Sequence, residues 1–293
     1  MNTVVKAIVS ILPPTILSFL VSYYRIMRGR RSPSPKTRLI EYCGGLYLGF
    51  KGNFTDDLLT STGAYEKNLQ RIMKAIIRKD WTVIDIGANV GIHTVLMANE
   101  ARDGHTYAFE PVIYNYHKLN TNVVLSGLNN ISIYSYAVGQ TAGHLNLKTI
   151  KQSRSEHGSS SLVENEHLAA LGDDAYDEVA VEVVALDDFV KQKNLKVDFI
   201  KMDIEGFEYW ALLGMIDTIN TQHPVMIIEY NVSRMDFLQL SNKDMESILG
   251  KNYDCYEIAK FDHVEKYSLD PFHFDRHVET DLLCIPKPKF LNS

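Results

Sequence analysis

A short apolar stretch that leads directly into a glycine-rich turn and a helical stretch limits the possible folds more than any other feature. Residues 83–94 read VIDIGANVGIHT, so a buried strand ending at Asp85 is followed by a turn containing Gly87, Asn89 and Gly91. Glycines let the backbone approach a ligand closely, and a helix start offers free N–H groups. The G-x-G-x-x-G dinucleotide fingerprint is not matched, because Asn89 stands at the second glycine position and the third glycine is missing.

Strand and helix patterns alternate along most of the chain. Strands are predicted at 82–86, 105–109, 131–136, 197–202, 224–228, 253–258 and 280–285, and helices at 66–78, 92–101, 113–126, 209–215 and 242–249. Such repeated units predict an α/β fold in which helices cover both faces of a mostly parallel sheet. Residues 39–50 alternate around a Gly-Gly pair and predict a small hairpin.

One polar stretch interrupts this alternation. Lys148–Asp177 contains SRSEHGSSS and a long acidic run, with no clear strand or helix pattern. A segment of this length inside a compact domain is usually functional or mobile. A solvated surface excursion is an equal alternative.

Acidic residues follow the ends of two predicted strands. Asp85 ends the first, and Glu110 ends the strand YAF, directly before Pro111. An acid at the end of the second strand of such a fold is placed to hold the hydroxyls of a nucleotide ribose. Capping of the following loop is the simpler alternative. The glycine turn between the two acids favours ligand binding.

A second charged motif lies in VDFIKMDIEGFEYWALLGM, residues 197–215. Its strand brings Lys201, Asp203 and Glu205 to a turn at Gly206, and alternation places all three on one side. An ion pair of Lys201 with Asp203 or Glu205 is the simpler alternative to a catalytic role. The next predicted strand, VMIIEYN, brings Glu229 and Asn231 to the same edge.

The first 40 residues differ in charge from the rest of the chain. They hold seven basic residues and no acid, so the remaining residues carry a net charge of −13 although the whole chain carries −6. Nucleic-acid binding needs clustered Lys and Arg, so an acidic body predicts no nucleic-acid partner. Three cysteines without a C-x-x-C pair predict a reducing compartment rather than a disulfide framework or a zinc module.

The N-terminal arm predicts membrane attachment through residues 4–31. Residues 4–24 are apolar except for Lys6, and four arginines follow within residues 25–31. At about 1.5 Å per residue this stretch nearly crosses a hydrocarbon core of about 30 Å, and Pro13-Pro14 should kink or break its helix. A spanning helix, a broken helix dipping into one leaflet and a helix packed on protein are the open alternatives. A cleaved signal peptide is disfavoured because the basic cluster follows the apolar run.

Several motifs occur here in the order typical of one enzyme family. They are DIGANVGIHT, FEP, AVG, GSSSL at 158–162, ALDDF at 185–189, IKMDIEGFE and IIEYN. Together they resemble the FkbM-type family of S-adenosylmethionine-dependent methyltransferases over about residues 60–235. The resemblance implies a Rossmann-like class I methyltransferase sheet of seven strands with the last one antiparallel. It also implies O-methylation, often of a sugar hydroxyl in a glycan or natural product.

The resemblance also implies a cofactor site. The turn from Asp85 to Gly91, with Gly87 and Asn89, would hold the methionine part of S-adenosylmethionine. Glu110 would hold the ribose hydroxyls, and Tyr136 and Ala137 would lie near the adenine. The corresponding domain boundaries are 1–38 for the membrane-associating arm, 39–80 for a hairpin and helix that cap the core, and 81–290 for the methyltransferase domain.

A sugar hydroxyl is a poor nucleophile, so methyl transfer to it needs a base or a metal. Asp203, Glu205, Glu229 and His157 are the candidate bases, and Lys201 could stabilise developing negative charge. In a catechol-type alternative, Asp203, Glu229 and Asn231 form an oxygen ligand set for Mg²⁺, although a metal-free mechanism is favoured.

Two other functions remain as alternatives, an NAD(P)-dependent oxidoreductase and a membrane-tethered module without catalysis. S-adenosylmethionine is a cytoplasmic cofactor and the basic cluster retains positive charge in the cytoplasm. The sequence therefore predicts a location on the cytoplasmic side of a membrane and an acceptor assembled there.

Overall fold

The computed structural model describes residues 37–50, 56, 59, 61–63, 65–150, 160–161, 176–258, 269–276 and 278–288. The N-terminal arm at 1–36 and the larger part of the polar excursion lie outside the described residues. Within the described part of the chain, no helix combines the length and apolar character needed to span a membrane.

An eight-stranded sheet forms the centre of the molecule. The strands are β3 (Thr82–Ile86), β4 (His105–Phe109), β5 (Ile131–Tyr134), β10 (Phe199–Met202), β11 (Val225–Asn231), β12 (Tyr253–Ile258), β13 (Leu269–Pro271) and β14 (Glu279–Pro286). Their order across the sheet is β13–β12–β14–β11–β10–β3–β4–β5. The neighbouring strands β5, β4, β3, β10 and β11 are parallel to one another, and β14 is antiparallel to both β11 and β12. The predicted seven-stranded sheet with a reversed last strand is confirmed, and β13 adds a short strand at the edge.

Helices pack on both faces of this sheet. They are α1 (Lys67–Ile76), α2 (Ile92–Glu100), α3 (Ile113–Ser126), α4 (Leu186–Lys193), α5 (Glu208–Leu213), α6 (Ile216–Gln222), α7 (Val232–Phe237) and α8 (Asn242–Leu249). Alternate strand residues serve opposite faces, as the pleat requires. In β10, Ile200 packs in a cluster with residues of α4, α5, α6 and α8, whereas Phe199 packs in a second cluster with residues of α1 and α2.

A small hairpin joins the outer surface of α3. Strands β1 (Thr37–Tyr42) and β2 (Gly45–Phe50) pair as the alternation predicted, and Cys43 and Gly44 form the turn with positive φ angles. Positive φ at both central residues is typical of the tight turns that suit the twist of a hairpin. The backbone N–H of Leu48 donates to Asn122 of α3 at 2.8 Å, which fixes the hairpin to the domain.

Part of the polar excursion, which shows no clear strand pattern in the sequence, belongs to a second sheet of four strands. Its strands are β6 (Ala137–Val138), β7 (Gly143–Ile150), β8 (Ser160–Ser161) and β9 (Tyr176–Val184), in the order β6–β9–β7–β8. The start and end of Lys148–Asp177 therefore lie in β7 and β9, not in an irregular segment. β9 buries Val181 and Val183 on one face and carries charged residues on the other. Because half of its side chains are polar, its sequence is similar to that of a polar loop.

Candidate active site

A cavity of about 440 Å³ lies at the carboxyl ends of the parallel strands. The sheet order explains the position of the cavity. Strands β4 and β5 lie on one side of β3, whereas β10, β11 and β14 lie on its other side. Ligands bind to open α/β sheets at such a reversal of strand order. The volume lies within the range of about 300–1,000 Å³ usual for small-molecule pockets.

The glycine turn after β3 forms the middle of the cavity wall. Gly87 has a φ of 79°, and a Cβ there would lie 1.9 Å from the carbonyl oxygen of Asp203. This close approach of two backbones excludes any side chain at residue 87. Gly87 and Asn89 line the cavity as the resemblance implied.

Asp85 and Gly91 lie behind this wall and do not line the cavity. The Asp85 carboxylate is fully buried, accepts a 2.6 Å hydrogen bond from Thr94 Oγ1 and lies 3.8 Å from Lys201 Nζ. Lys201 and Asp85 are direct neighbours in the register of β10 and β3. Asp85 therefore links the end of β3 to α2 through Thr94 and to β10 through Lys201.

Glu110 lines the cavity on the β4 side. Its carboxylate accepts hydrogen bonds from the backbone N–H groups of Asn89 at 2.8 Å and Val112 at 3.0 Å. Burial raises the pKa of Glu110 to about 7, although these two hydrogen bonds act to lower it. Asn115 Nδ2 donates a third hydrogen bond to it at 3.4 Å. A carboxylate can accept about four hydrogen bonds, so Glu110 retains acceptor capacity for a ribose hydroxyl.

Tyr136 and Ala137 also line the cavity, beyond the end of β5. The ring of Tyr136 stacks on that of Tyr134 with centroids 6.1 Å apart, while Ala137 is buried in β6 of the second sheet. An aromatic ring beside a small buried residue suits a planar base such as adenine. The structure thus brings together Gly87, Asn89, Glu110, Tyr136 and Ala137.

Lys201 and Asp203 form an ion pair on the β10 side of the cavity. Lys201 Nζ donates to Asp203 Oδ2 at 3.2 Å and lies 3.5 Å from the carbonyl oxygen of Gly87. Burial acts to raise the pKa of Asp203, but the adjacent Lys201 outweighs it, so the pKa is lowered. For Lys201, burial acts to lower the pKa, and the charges of Asp203 and Asp85 raise it overall. The structure therefore contains the ion pair of Lys201 with Asp203, which is the simpler alternative to a catalytic role for Lys201.

Arg234 connects two further candidate bases. Its guanidinium forms an ion pair with Glu205 and a hydrogen bond with Glu229 at 3.1 Å. Burial, and then the negative charges of Asp203, Glu208 and Glu205, raise the pKa of Glu229 well above its ordinary value. Burial and Asp203 also raise the pKa of Glu205, against the opposing charge of Arg234.

The alternative magnesium set is not assembled. The side-chain oxygen of Asn231 accepts from the backbone N–H of Arg234 at 3.1 Å, and Asn231 does not line the cavity. The guanidinium of Arg234 occupies the side of Glu229 that a cation would need. Among the described residues, no three His, Cys, Asp or Glu side chains are grouped closely enough to hold a metal ion.

Several cavity residues were missed from the sequence, among them Arg234, which contacts two candidate bases. One candidate falls outside the described residues. His93, Tyr65 and Glu66 line the cavity near Lys201, and His93 Nε2 lies 3.3 Å from a Glu66 carboxylate oxygen. Burial and then the charge of Lys201 lower the pKa of His93 to about 3, so it is neutral at physiological pH. The position of His93 at the start of α2 was the available signal. His157 lies outside the described residues.

The cavity, with its glycine turn and an acid after the second parallel strand, corresponds to a known domain. Residues 85–267 match the model of the methyltransferase FkbM domain, which is more than half of the chain.

The chain belongs to the FkbM family of S-adenosylmethionine-dependent methyltransferases.

Family membership favours methyl transfer over the nicotinamide-dependent alternative.

The FkbM chain described here is similar to several known proteins. Methyltransferase 1 of Beauveria bassiana (strain ARSEF 2860) is 26% identical over 169 residues, covering 54% of this chain and 68% of the relative. The FkbM methyltransferase structure from Methylobacillus flagellatus KT aligns with a TM-score of 0.43 and 19% identity. That alignment covers 72% of this chain but only 45% of the other. M. jannaschii TYW2 in complex with AdoMet aligns with a TM-score of 0.41 and 13% identity, covering 87% of each chain.

Proposed function

We propose that this protein transfers a methyl group from S-adenosylmethionine to a hydroxyl oxygen, on a sugar of a glycan or glycoconjugate. The observation that carries the proposal is the distribution of carboxylates in one cavity. Glu110 lies on one side of the glycine turn, where a ribose diol would bind, and Asp203, Glu205 and Glu229 lie on the other. Carboxylates beside an acceptor suit a hydroxyl group, which must lose its proton as it is methylated.

The described residues fit the cofactor. Gly87 leaves room for a close approach to the backbone, Glu110 retains acceptor capacity for the ribose, and Tyr136 with Ala137 offers a surface for the adenine. When bound, S-adenosylmethionine supplies an electrophilic methyl group. The protein's main contribution is then to hold the acceptor oxygen close to that group and in line with the bond that breaks.

Glu229 is the strongest of the candidate bases. A general base works best when its pKa lies near the working pH. Burial raises the pKa of both Glu229 and Glu205, and it does so more strongly at Glu229, whereas the pKa of Asp203 is lowered because Lys201 stabilises its ionised form. In the proposed step, Glu229 would take the proton of the acceptor hydroxyl while its oxygen receives the methyl group that S-adenosylmethionine supplies, and S-adenosylhomocysteine would be the second product.

We further propose that the acceptor is encountered at a membrane. The basic, apolar N-terminal arm supports this view, since arginines beside a membrane each gain about 1 kcal/mol from anionic headgroups. A lipid-linked glycan on the cytoplasmic side fits both this arm and the cofactor. The acidic character of the rest of the chain supports the absence of a nucleic-acid partner.

Labelling tests the reaction type directly. The purified protein is incubated with S-adenosylmethionine and a membrane glycan extract, and products are identified by mass spectrometry. We expect a gain of one methyl group on a sugar oxygen, loss of that product in Glu229→Gln and no change on addition of EDTA. Methylation of nitrogen or carbon would contradict O-methyl transfer, and loss of turnover in EDTA would restore the magnesium alternative.

Calorimetry separates the enzyme from its alternatives. S-adenosylhomocysteine should bind and NAD should not. Binding without methyl transfer to any component of the extract would favour the membrane-tethered module without catalysis.

A further inference from the structure

Arg234 lies in the first turn of α7, which begins directly after β11 ends at Asn231, and its side chain lines the cavity. The side-chain oxygen of Asn231 caps α7 by accepting the backbone N–H of Arg234 at 3.1 Å. Helical side chains point toward the helix N-terminus, so the Arg234 side chain returns over the end of the sheet. Its aliphatic part lies against Gly206, where an added Cβ would be 3.2 Å from Arg234 Cδ.

The turn that Arg234 contacts is held rigidly. Glu208 Oε1 accepts the backbone N–H groups of Ile204 at 3.0 Å and Gly206 at 3.2 Å. Glu205 and Gly206 both adopt positive φ angles, which exposes the Glu205 carboxylate to the guanidinium. The guanidinium is thus fixed between a rigid turn and Glu229.

The surroundings of Glu229 are strongly acidic. Asp203 and Glu205 approach it from the turn after β10, Glu208 from α5, and Glu279 and Asp281 from β14, where Asp281 is its register partner. The cations in the cavity lining are Lys201 and Arg234, and Lys201 contacts Asp203 and Asp85 rather than Glu229. In the part of the chain that the structure describes, Arg234 is therefore the cation that contacts Glu229 directly.

We propose that Arg234 is a positioning residue for methyl transfer, which fixes the Glu229 carboxylate at the acceptor side of the cavity and favours its ionised form. This inference rests on the proposed function, in which Glu229 is the base. An arginine fork suits the task because its parallel N–H groups hold carboxylates in a defined plane and stay charged at any working pH.

A carboxyl titration on the free protein tests the inference without an acceptor. Glutamates are isotope-labelled at the carboxyl carbon, and the Glu229 signal is assigned by its loss in Glu229→Gln. We expect the pKa of Glu229 to rise by about one unit or more in Arg234→Gln, because an opposite charge at this distance lowers a carboxyl pKa by about 1–3 units. Arg234→Lys should retain most of the charge effect, and Arg276→Gln is the matched control because Arg276 pairs with Glu257 and does not line the cavity.

A second variant shifts the same group in the opposite direction. Glu205→Gln removes a negative neighbour and leaves Arg234 to Glu229 alone, so the pKa of Glu229 should fall. This variant keeps the inference testable if Arg234→Gln does not fold. An unchanged Glu229 pKa in folded Arg234→Gln would overturn it, and if that variant does not fold, an unchanged Glu229 pKa in Glu205→Gln would do so.

The pH profile of methyl incorporation into the membrane glycan extract gives the functional counterpart. The acid limb should move to higher pH in Arg234→Gln, with S-adenosylhomocysteine affinity unchanged. A uniform loss of rate at every pH would indicate a merely structural role and overturn the inference. If wild-type protein transfers no methyl group to oxygen, the proposed function fails by that result, whatever the titration shows. A wild-type protein that does so while Arg234→Gln leaves the Glu229 pKa unchanged refutes the inference alone.

Discussion

Single carboxylates in the cavity differ in proton affinity because their nearest neighbours differ. Asp203 lies 3.2 Å from a lysine, which lowers its pKa against the effect of burial, while burial and then the charges of nearby acids raise the pKa of Glu229. Glu110 is buried among backbone N–H groups and has a pKa of about 7. Residue type alone would assign the same ordinary range to all three.

Glu110 should make cofactor binding depend on pH. An ionised Glu110 accepts the ribose hydroxyls, and its pKa of about 7 means that the ionised fraction falls as the pH falls through 7. We therefore expect S-adenosylhomocysteine affinity to weaken below pH 7, approaching about tenfold per pH unit, and to level off above it. Calorimetry on either side of pH 7 measures this. Glu110→Gln should bind more weakly with this pH dependence removed, and an unaltered slope would contradict the assignment.

Lys201 should be essential for the stability of the fold. Lys201→Met leaves Asp85 buried without its cation, and breaking a buried pair in this way costs about 3–5 kcal/mol. The loss should be measurable as a lower free energy of unfolding in denaturant titration. Lys196→Met is the control, because Lys196 is exposed and its pair with Asp198 should contribute less than about 1 kcal/mol. Equal effects of the two substitutions would show that the buried pair has no special role.

At the scale of the elements, the glycine turn is the point where β3 and β10 are joined beyond their strand pairing. The turn after β3 and the turn after β10 touch through Gly87 and the Asp203 carbonyl, and the backbone N–H of Asp203 donates to Ile86 at 3.1 Å. The cofactor side and the acceptor side of the cavity are therefore one continuous wall. A displacement of either turn should disturb both.

A pair of glycine substitutions separates this contact from backbone strain. Gly87→Ala and Gly127→Ala both place a side chain at positive φ, but only Gly87 faces backbone within 2 Å of the added Cβ, while nothing lies within 4 Å at Gly127. We expect Gly127→Ala to cost about 1 kcal/mol of stability and leave S-adenosylhomocysteine binding intact. Gly87→Ala should cost more and abolish binding, as measured by thermal unfolding and calorimetry. Similar binding by both variants would mean that the turn contact is dispensable.

The whole chain joins a basic N-terminal arm to an acidic methyltransferase body. The arm lies outside the described residues, so membrane attachment stays a prediction from sequence. The described body buries its core between two helix layers and presents the cavity at one edge of the sheet. The acceptor side of that cavity is rich in carboxylates, whereas the arm is basic.

Vesicle flotation tests the arm in the full-length chain. The protein should float with vesicles containing anionic lipid at low salt. Substitution of Arg25, Arg28, Arg30 and Arg31 by Gln should weaken binding by up to about 1 kcal/mol for each residue. Four exposed lysines of the body, Lys67, Lys79, Lys196 and Lys251, changed to Gln form the charge-matched control. Recovery of the wild-type protein entirely in the unbound fraction would refute membrane attachment.

Much of the fold could be predicted because its signals are local. The apolar segments β3, β4 and β10, the hairpin and the glycine turn each carry their pattern within a few residues. β9 was missed because only one of its faces is buried, and β7, α4, α6 and α7 were also missed.

The α/β class, the glycine turn and the family were predictable from the amino-acid sequence, since a strand, a glycine turn and a terminal acid follow each other directly in the chain. Which acids share a neighbour is visible only in the folded structure. The pairing of Asp85 with Lys201 and the insertion of Arg234 between Glu205 and Glu229 depend on strand order and register, which bring together residues far apart in sequence. Proton affinity depends on distance and burial, so the choice among candidate bases follows from those contacts.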